Sequence, residues 1–481
     1  MAKIDGSRYS GIKALIMGLG LHGGGLGAAR FLAAHGAALT VTDLRGRDVL
    51  ENSIKELDDF VASAGGIPVK YVLERHDTQD FANADLVIKN PGVRPDSPFL
   101  RAARHIETDI SLFLAHNPAR LTAVTGSKGK SFTASAIQYT LRQAARAGFG
   151  GGRAFLGGNI TVSPLSFLEE LTEDDDVVLE LSSWQLGDLP QGLLKPRSAV
   201  ITAIMPDHLD RYGAMDAYVA DKRVIYQGQD RGGATIAGDD DWGRSFLSET
   251  HGRPYRYCRK KPPALDEYSG GAFFDEESGA CFAWGSIASL KKGETAQIVP
   301  AITAAPGIHQ KMNLMAAGLA LLDLNIPPEF INDCAGRFGG IEHRLEFFYE
   351  NDRIRFYNDT AATIPEAAAA AVSALVSPVV VTGGTDKNLD FSPLAAALSC
   401  AKAVVLLAGT GSDKLAAMLK TRNIPFCGPL NSIDEAVEAA IKAASSGDSV
   451  VLSPGCASFG MFLNEFDRGR KWKAAVKSYL T

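Results

Sequence analysis

Cysteine is scarce in this chain and never paired at short range. Its six cysteines, Cys258, Cys281, Cys334, Cys400, Cys427 and Cys456, include no C-x-x-C couple. That argues against a disulfide framework or a cysteine zinc site and fits thiols used as small core residues in a reducing cytoplasm. Long apolar runs are missing too, and none reaches the roughly 18 residues that cross a bilayer. The first residues run into the strand-like KALIMG without an h-region or cleavage site, so no signal peptide is expected. There is no excess of positive charge: the formal net charge is −6, and basic residues are spread along the chain. Nucleic acid is therefore not expected as a partner. No repeat or low-complexity tract stands out. What remains is a globular composition, 46% hydrophobic and 22% charged over 481 residues, a length that suggests about three domains.

The segment LTAVTGSKGKSFTASAIQY carries the strongest single signal. An apolar β-type run, Leu121 to Val124, leads into a glycine-bearing turn, then Lys130, Ser131 and a helix-like stretch. Such a strand–loop–helix holds a polyphosphate: loop amides and the helix N-terminus face the anion, lysine reaches a terminal phosphate, and serine takes Mg²⁺. The common loop GxxxxGK[ST] needs glycine where Val124 stands; only the shorter Gly126-x-x-Gly129-Lys130-Ser131 is present.

Three α/β blocks follow from the alternation of apolar runs and helix-like segments. The first has the strand KALIMG, then Gly18-Leu19-Gly20-Leu21-His22-Gly23, a helix-like GLGAARFLAAHG, and a strand ALTVTD ending in Asp43. Taken alone, this G-x-G-x-x-G with an acid about twenty residues on reads as a dinucleotide fingerprint. DLVIKNPGV adds a strand whose end puts Asn90, Pro91 and Gly92 at the carboxyl edge of the sheet. The second block opens with the phosphate loop and holds the strands DVVLELSS and SAVITAIM; GGAFFD and GACFAW read as a β-hairpin elaboration. The third begins near Gly340, where RIRFYNDT, PVVVTGGT, AVVLLAGT and DSVVLSPG alternate with helical stretches, which predicts a largely parallel, doubly wound sheet.

Several polar residues sit where apolar runs end. Glu180 interrupts VVLELSS, and a buried strand-end acid needs a metal or a donor to offset its desolvation. Asp207-His208 ends AVITAIMPDH in the same block, which makes His208 a candidate partner for Mg²⁺, although imidazole is an unusual ligand for so hard an ion. Lys222 reads, on composition, as a solvated surface lysine. Arg344 follows a Gly-Gly break, and Asp359, Thr363, Lys387 and Ser458 follow three different strands, which suggests a shared pocket.

The phosphate loop, LELSSWQL, MPDHLDRYG, HQKMNLMAA, IEHRLE, NDTAAT, GGTDKNLDF and LSPGCASFGMF with EFDRG occur in this order. Together they resemble the Mur ligases of peptidoglycan synthesis, over nearly the whole chain. The resemblance implies three domains: a Rossmann-like, UDP-substrate-binding domain over 1–118, a central P-loop-type ATP-binding domain over 119–338, and a Rossmann-like, amino-acid-binding domain over 339–481. It implies an ATP-dependent amide ligase acting on UDP-N-acetylmuramoyl-L-alanine and glutamate, cytoplasmic and monomeric. Leu21, His22, Asp43, Arg45, Asn90 and Gly92 would line the uridine and diphosphate site, and Asn159, Ser182 and Gln185 would face the muramoyl-alanine end. Gly126, Gly129, Lys130 and Ser131 would cradle ATP, with Asn313, Arg344 and Asp359 positioning it. Ser131 and Glu180 would hold one Mg²⁺ and His208 a second. Lys222 matches the lysine that the family carbamylates, giving it a metal-binding carboxylate. Thr363, Lys387 and Ser458 match contacts to glutamate.

The chain also departs from the family pattern. Ser127, Lys128 and Phe132 differ from the usual GTNGKST loop, Ala361 replaces a lysine, and Gly460 and Glu465 stand where an Asp and an aromatic are common. Apart from the loop, these changes gather at the amino-acid pocket, so D- and L-glutamate both stay open. A different class, an NAD-dependent oxidoreductase, rests on the first fingerprint alone and leaves Lys130, Glu180 and His208 without a role.

Overall fold

The computed structural model describes residues 6–20, 23–160, 162–263, 265, 270–290, 293–458 and 460–480. The chain divides into two compact units, Met1–Ala301 with Lys311–Ala335, and Ile302–Gln310 with Gly336–Thr481.

The first unit contains two sheets. Strands β1 (Lys13–Met17), β2 (Ala38–Asp43), β3 (Lys70–Leu73), β4 (Leu86–Lys89) and β5 (Ile106–Glu107) form a parallel sheet in the order β3-β2-β1-β4-β5. Its central strand is apolar on both faces, as a strand covered on both sides must be. Ala14 and Ile16 point into the core that holds Ala28, Ala29 and Leu32 of helix α1 (Gly24–Ala34), while Leu15 and Met17 face Phe81 and Leu100. The order reverses between β1 and β4, the crevice where open α/β sheets take ligands.

The second sheet is built from β6 (Arg120–Thr125), β7 (Ala154–Gly158), β8 (Asp176–Glu180), β9 (Ser198–Ile201), β10 (Ala234–Gly238), β11 (Arg253–Cys258), β12 (Gly270–Phe274), β13 (Cys281–Gly285) and β14 (Thr295–Val299). Among the described residues the order is β14-β13-β12-β11-β10-β9-β6-β8-β7, parallel except that β13 pairs antiparallel with both β12 and β14. The expected hairpin is β12–β13, and it extends the main sheet instead of standing apart. The strand read from SAVITAIM stops at Ile201, and the Thr202 hydroxyl just beyond it donates to the carbonyls of Lys128 (2.7 Å) and Thr125 (3.1 Å).

The second unit holds β15 (Glu346–Asn351), β16 (Ile354–Asn358), β17 (Pro378–Thr382), β18 (Ala403–Leu407), β19 (Cys427–Leu430) and β20 (Ser449–Leu452), in the order β15-β16-β20-β17-β18-β19. The pairing is parallel except for the β15–β16 hairpin. Alternate residues serve two cores. Val380 and Val451 pack with Ala368 and Val372 of α2 (Pro365–Ala374), and Val379, Val381 and Val450 pack with Val437 of α3 (Ile433–Ala443) and Trp472 of α4 (Glu465–Leu480). Of the cysteines, Cys258, Cys281, Cys334 and Cys456 are buried; Cys400 and Cys427 are exposed, both in the second unit. Among the described residues no helix is long and apolar enough to cross a membrane.

Candidate active site

The turn after β6 is fixed by space as well as by backbone. Gly126 has φ +143°, and a Cβ there would lie 1.9 Å from Thr202 Oγ1; Gly129 has φ +96°, and its Cβ would lie 2.3 Å from Asn313 Oδ1. Both positions therefore demand glycine. Gly129 caps the helix Lys130–Arg146 without any side-chain hydrogen bond, so no side chain competes with an anion for the first-turn amides. Ser127 pins the loop: its Oγ accepts from the Met205 amide at 2.9 Å and lies 2.8 Å from the Tyr218 hydroxyl. Lys130 folds back over the turn, donating to the carbonyls of Gly126 (3.0 Å) and Ser127 (3.1 Å). Ser131 is the second residue of the same helix.

Glu180 ends β8 opposite Val124 of β6 and is only 1% exposed. Asn159 Nδ2 donates to its Oε1 at 3.2 Å, while Oε2 is buried with no partner. A buried carboxylate oxygen without a donor is costly, and a hard cation on that side satisfies it. The donor set beside a phosphate loop fits Mg²⁺.

Lys222, on the helix Met215–Gln227, is buried at 2% exposure, which corrects the surface reading. Its Nζ donates to the Gly126 carbonyl at 2.9 Å and lies 4.5 Å from the centre of the Tyr218 ring. Burial, reinforced by the nearby Lys130 charge, pushes its pKa down to about 7. His208 is exposed, with φ +53° and its ring 5.0 Å from that of Trp184.

A cavity of about 840 Å³ in the first unit joins these groups to the crevice of the first sheet. Asp43, Arg45, Asn90 and Gly92 line it near one sheet; Asn159, Ser182, Gln185, Lys130, His208 and Lys222 line it near the other. Leu21 and His22 lie outside the described residues. Glu180 and Ser131 are not in the lining. Asp43 Oδ1 accepts from the Arg45 amide at 3.0 Å, and Asn90 Oδ1 accepts from the Gly92 amide at 3.0 Å, so both loops are preorganised. Ser182 and Gln185 also cap the short helix Ser183–Gly187 reciprocally, Gln185 N donating to Ser182 Oγ and Ser182 N to Gln185 Oε1.

Four further lining residues escaped sequence reading: His76, Asp109, Trp184 and Tyr218. Trp184 and Tyr218 fall within or beside quoted motifs. Asp109 follows the capping threonine Thr108 and reads as an ordinary first-turn acid. Behind the cavity, Lys89 at the end of β4 and Asp188 just after the Ser183–Gly187 helix form an ion pair of 2.5 Å with side chains 4% and 5% exposed.

In the second unit, Asp359, Lys387 and Ser458 follow the carboxyl ends of the neighbouring strands β16, β17 and β20. Asp359 is buried; its Oδ2 accepts from Ser453 Oγ at 2.6 Å and its Oδ1 from the Leu345 amide at 2.9 Å. Burial raises its pKa to about 7, against the pull of Arg344. Arg344 is exposed in a tight turn between His343 (φ +68°) and Leu345 (φ +44°). Thr363 is half-buried, Ser458 buried and Lys387 exposed. Asn313 belongs to the first unit, against Gly129.

Three family models match this chain: the Mur ligase MurD-like N-terminal domain over residues 12–111, the Mur ligase middle domain over 124–321, and the Mur ligase glutamate ligase domain over 343–456. The sequence is 39% identical to the UDP-N-acetylmuramoylalanine--D-glutamate ligase of Treponema pallidum, over 96% of this chain and 97% of that one. The chain belongs to the Mur ligase family. This Mur ligase is also 39% identical to the enzyme of the same name from Roseiflexus sp., covering 98% of this chain and 100% of the relative. Solved Mur ligases share the fold: MurC from Thermotoga maritima (TM-score 0.52, 19% identity, 97% of this chain and 100% of that one) and MurF from Acinetobacter baumannii (TM-score 0.53, 14% identity, 97% and 93%).

Proposed function

We propose that this chain is an ATP-dependent ligase that joins D-glutamate to UDP-N-acetylmuramoyl-L-alanine in peptidoglycan precursor synthesis. Its relatives over nearly the full length bear that activity in their names. The observation that carries the reading is the single cavity shared by the first-sheet loops, Lys130 and Lys222. It supports a substrate lying from Asp43, Arg45, Asn90 and Gly92 to Asn159, Ser182 and Gln185, its carboxylate toward the phosphate loop; Leu21 and His22, outside the described residues, are assigned to the same substrate by the family resemblance alone.

A carboxylate reacts with an amine only after its oxygen becomes a leaving group. The alanyl carboxylate attacks the γ-phosphate of ATP, giving an acyl phosphate and ADP; the amine of glutamate attacks the acyl carbon, and phosphate leaves. Gly126, Gly129 and Lys130 hold the triphosphate, and Asn313, Arg344 and Asp359 position the nucleotide. Ser131, Glu180, His208 and Lys222 as a carbamate would hold two Mg²⁺ ions, and metal bound there would screen the like charges of carboxylate and triphosphate. The depressed pKa of Lys222 supports the carbamate, since only the neutral amine adds CO₂. Thr363, Lys387 and Ser458 hold the glutamate. The domains run 1–118, 119–338 and 339–481, and the enzyme works as a cytoplasmic monomer.

The test is phosphate release from purified protein given UDP-N-acetylmuramoyl-L-alanine, ATP, Mg²⁺ and each glutamate enantiomer in turn. Turnover with D-glutamate is expected. Preference for the L form overturns the assignment of the amino acid, and silence with both overturns the ligase reading.

A further inference from the structure

Asp109 is an acid in an unexpected place. It lines the cavity, is 5% exposed, and faces the first residue of α1: a Cβ on Gly24, itself in the lining, would lie 3.4 Å from Asp109 Oδ2. The α1 N-terminus is capped by Gly23 (φ +89°) with no side-chain hydrogen bond, and in this fold that end of the first helix meets a diphosphate. An ionised carboxylate so close to a bound diphosphate is opposed by its charge.

Among the described residues no cation offsets Asp109. Its side-chain partner is Ser163 Oγ, donating to Oδ2 at 3.4 Å, and the remaining help comes from amides at the start of its own helix, Asp109–His116. Charged groups on the elements packed around it are engaged elsewhere. Arg30 of α1 pairs with Glu56, His116 meets the Tyr9 hydroxyl, Glu169 lies beside His35, and Glu170 beside Arg153. Burial raises the Asp109 carboxyl to about 6 even without ligand.

We propose that Asp109 meets the bound nucleotide-sugar as a neutral acid, donating its proton in a hydrogen bond to a phosphate or sugar oxygen, so that substrate binding draws one proton from solution. This deepens the functional reading above and rests on it. It makes Asp109 a residue that senses the diphosphate-sugar end of the substrate.

Calorimetric titration of the whole protein with UDP-N-acetylmuramoyl-L-alanine, at pH 7.5 in two buffers of different ionisation enthalpy, counts the protons taken up without any turnover. About one is expected for the wild type and none for Asp109→Asn. Wild-type affinity is expected to fall toward tenfold per pH unit in the alkaline range, because each binding event then requires a scarce proton, and Asp109→Asn to lose that slope. His76 and His208 also line the cavity, so His76→Gln and His208→Gln are run in parallel and should retain the uptake. Wild-type binding without proton uptake, or uptake that survives Asp109→Asn and vanishes in a histidine variant, overturns the proposal while leaving the ligase reading intact. No binding at all overturns both. Should Asp109→Asn fail to fold, infrared difference spectra of the wild type decide: a carboxylic-acid C=O band gained on binding supports the proposal, and its absence refutes it.

Discussion

The side-chain nitrogens of Lys130 and Lys222 donate to the same acceptor, the Gly126 carbonyl, at 3.0 and 2.9 Å. Two ammonium groups on one buried oxygen repel each other, and the more buried of the two gives way. Burial is the main cause of the low Lys222 pKa, and this repulsion adds to it. It also keeps a nucleophilic amine beside the Gly126–Ser131 turn.

Lys222→Ala is expected to lose ligase activity by at least about a hundredfold, on the scale of removing one group that stabilises transition-state charge. Short carboxylic acids added at millimolar levels should restore part of it by filling the vacated space with a carboxylate. In the wild type, carbamate occupancy should rise with pH through about 7, since the neutral amine predominates above that value. Carbon-13 NMR with labelled bicarbonate reads the occupancy; activity of Lys222→Ala that matches the wild type contradicts the role.

Glu180→Gln separates function from stability. The substitution replaces a buried carboxylate that has one oxygen without a partner, so it should abolish Mg²⁺-supported turnover while leaving metal-free thermal stability equal or higher, by about 1–3 kcal/mol. Scanning calorimetry in EDTA beside an activity assay reads both. A large loss of metal-free stability would show that the acid serves the fold.

Asp359 should make the second unit less stable as pH rises. Its folded pKa of about 7 lies above the ordinary aspartate value, about 3.9, so the folded state holds the proton more tightly. The contribution is complete below about pH 4, is lost progressively toward pH 7, and is flat beyond. Relative to Asp359→Asn, the wild type should weaken across that window in urea titrations. A difference independent of pH would sink the assignment.

Lys89→Met leaves Asp188 as a buried, unpaired carboxylate and should cost about 3–5 kcal/mol, whereas the double change Lys89→Met with Asp188→Leu should recover most of it. Equal losses in the single and double variants would mean that packing, not charge, governs the site. Chemical denaturation of the four proteins in the cycle decides.

Local chemistry was legible in the sequence, and long-range packing was not. Gly126 to Ser131 lies between a strand and a helix as expected because a strand–turn–helix is a contiguous pattern, and Asp43, Asn90 and Ser182 after β2, β4 and β8 share one cavity because parallel strands deliver their carboxyl ends to one edge. Lys222 hid among helix residues, as nothing in its neighbours shows that its face is covered. The partners Lys89 and Asp188 lie 99 residues apart, and only the meeting of two sheets brings them together. Asp109 hid for a subtler reason: a first-turn acid after a threonine cap is so common that its second neighbour, α1, leaves no trace in the local sequence.

The two solvent-facing thiols carry a practical consequence. Cys400 and Cys427 are both in the second unit, and the other four cysteines are buried. A maleimide fluorophore applied to the unmodified protein therefore marks that unit alone, and a nucleotide analogue carrying an acceptor dye in the first-unit cavity completes an energy-transfer pair. Any displacement of the second unit during turnover becomes measurable without introducing a single new residue.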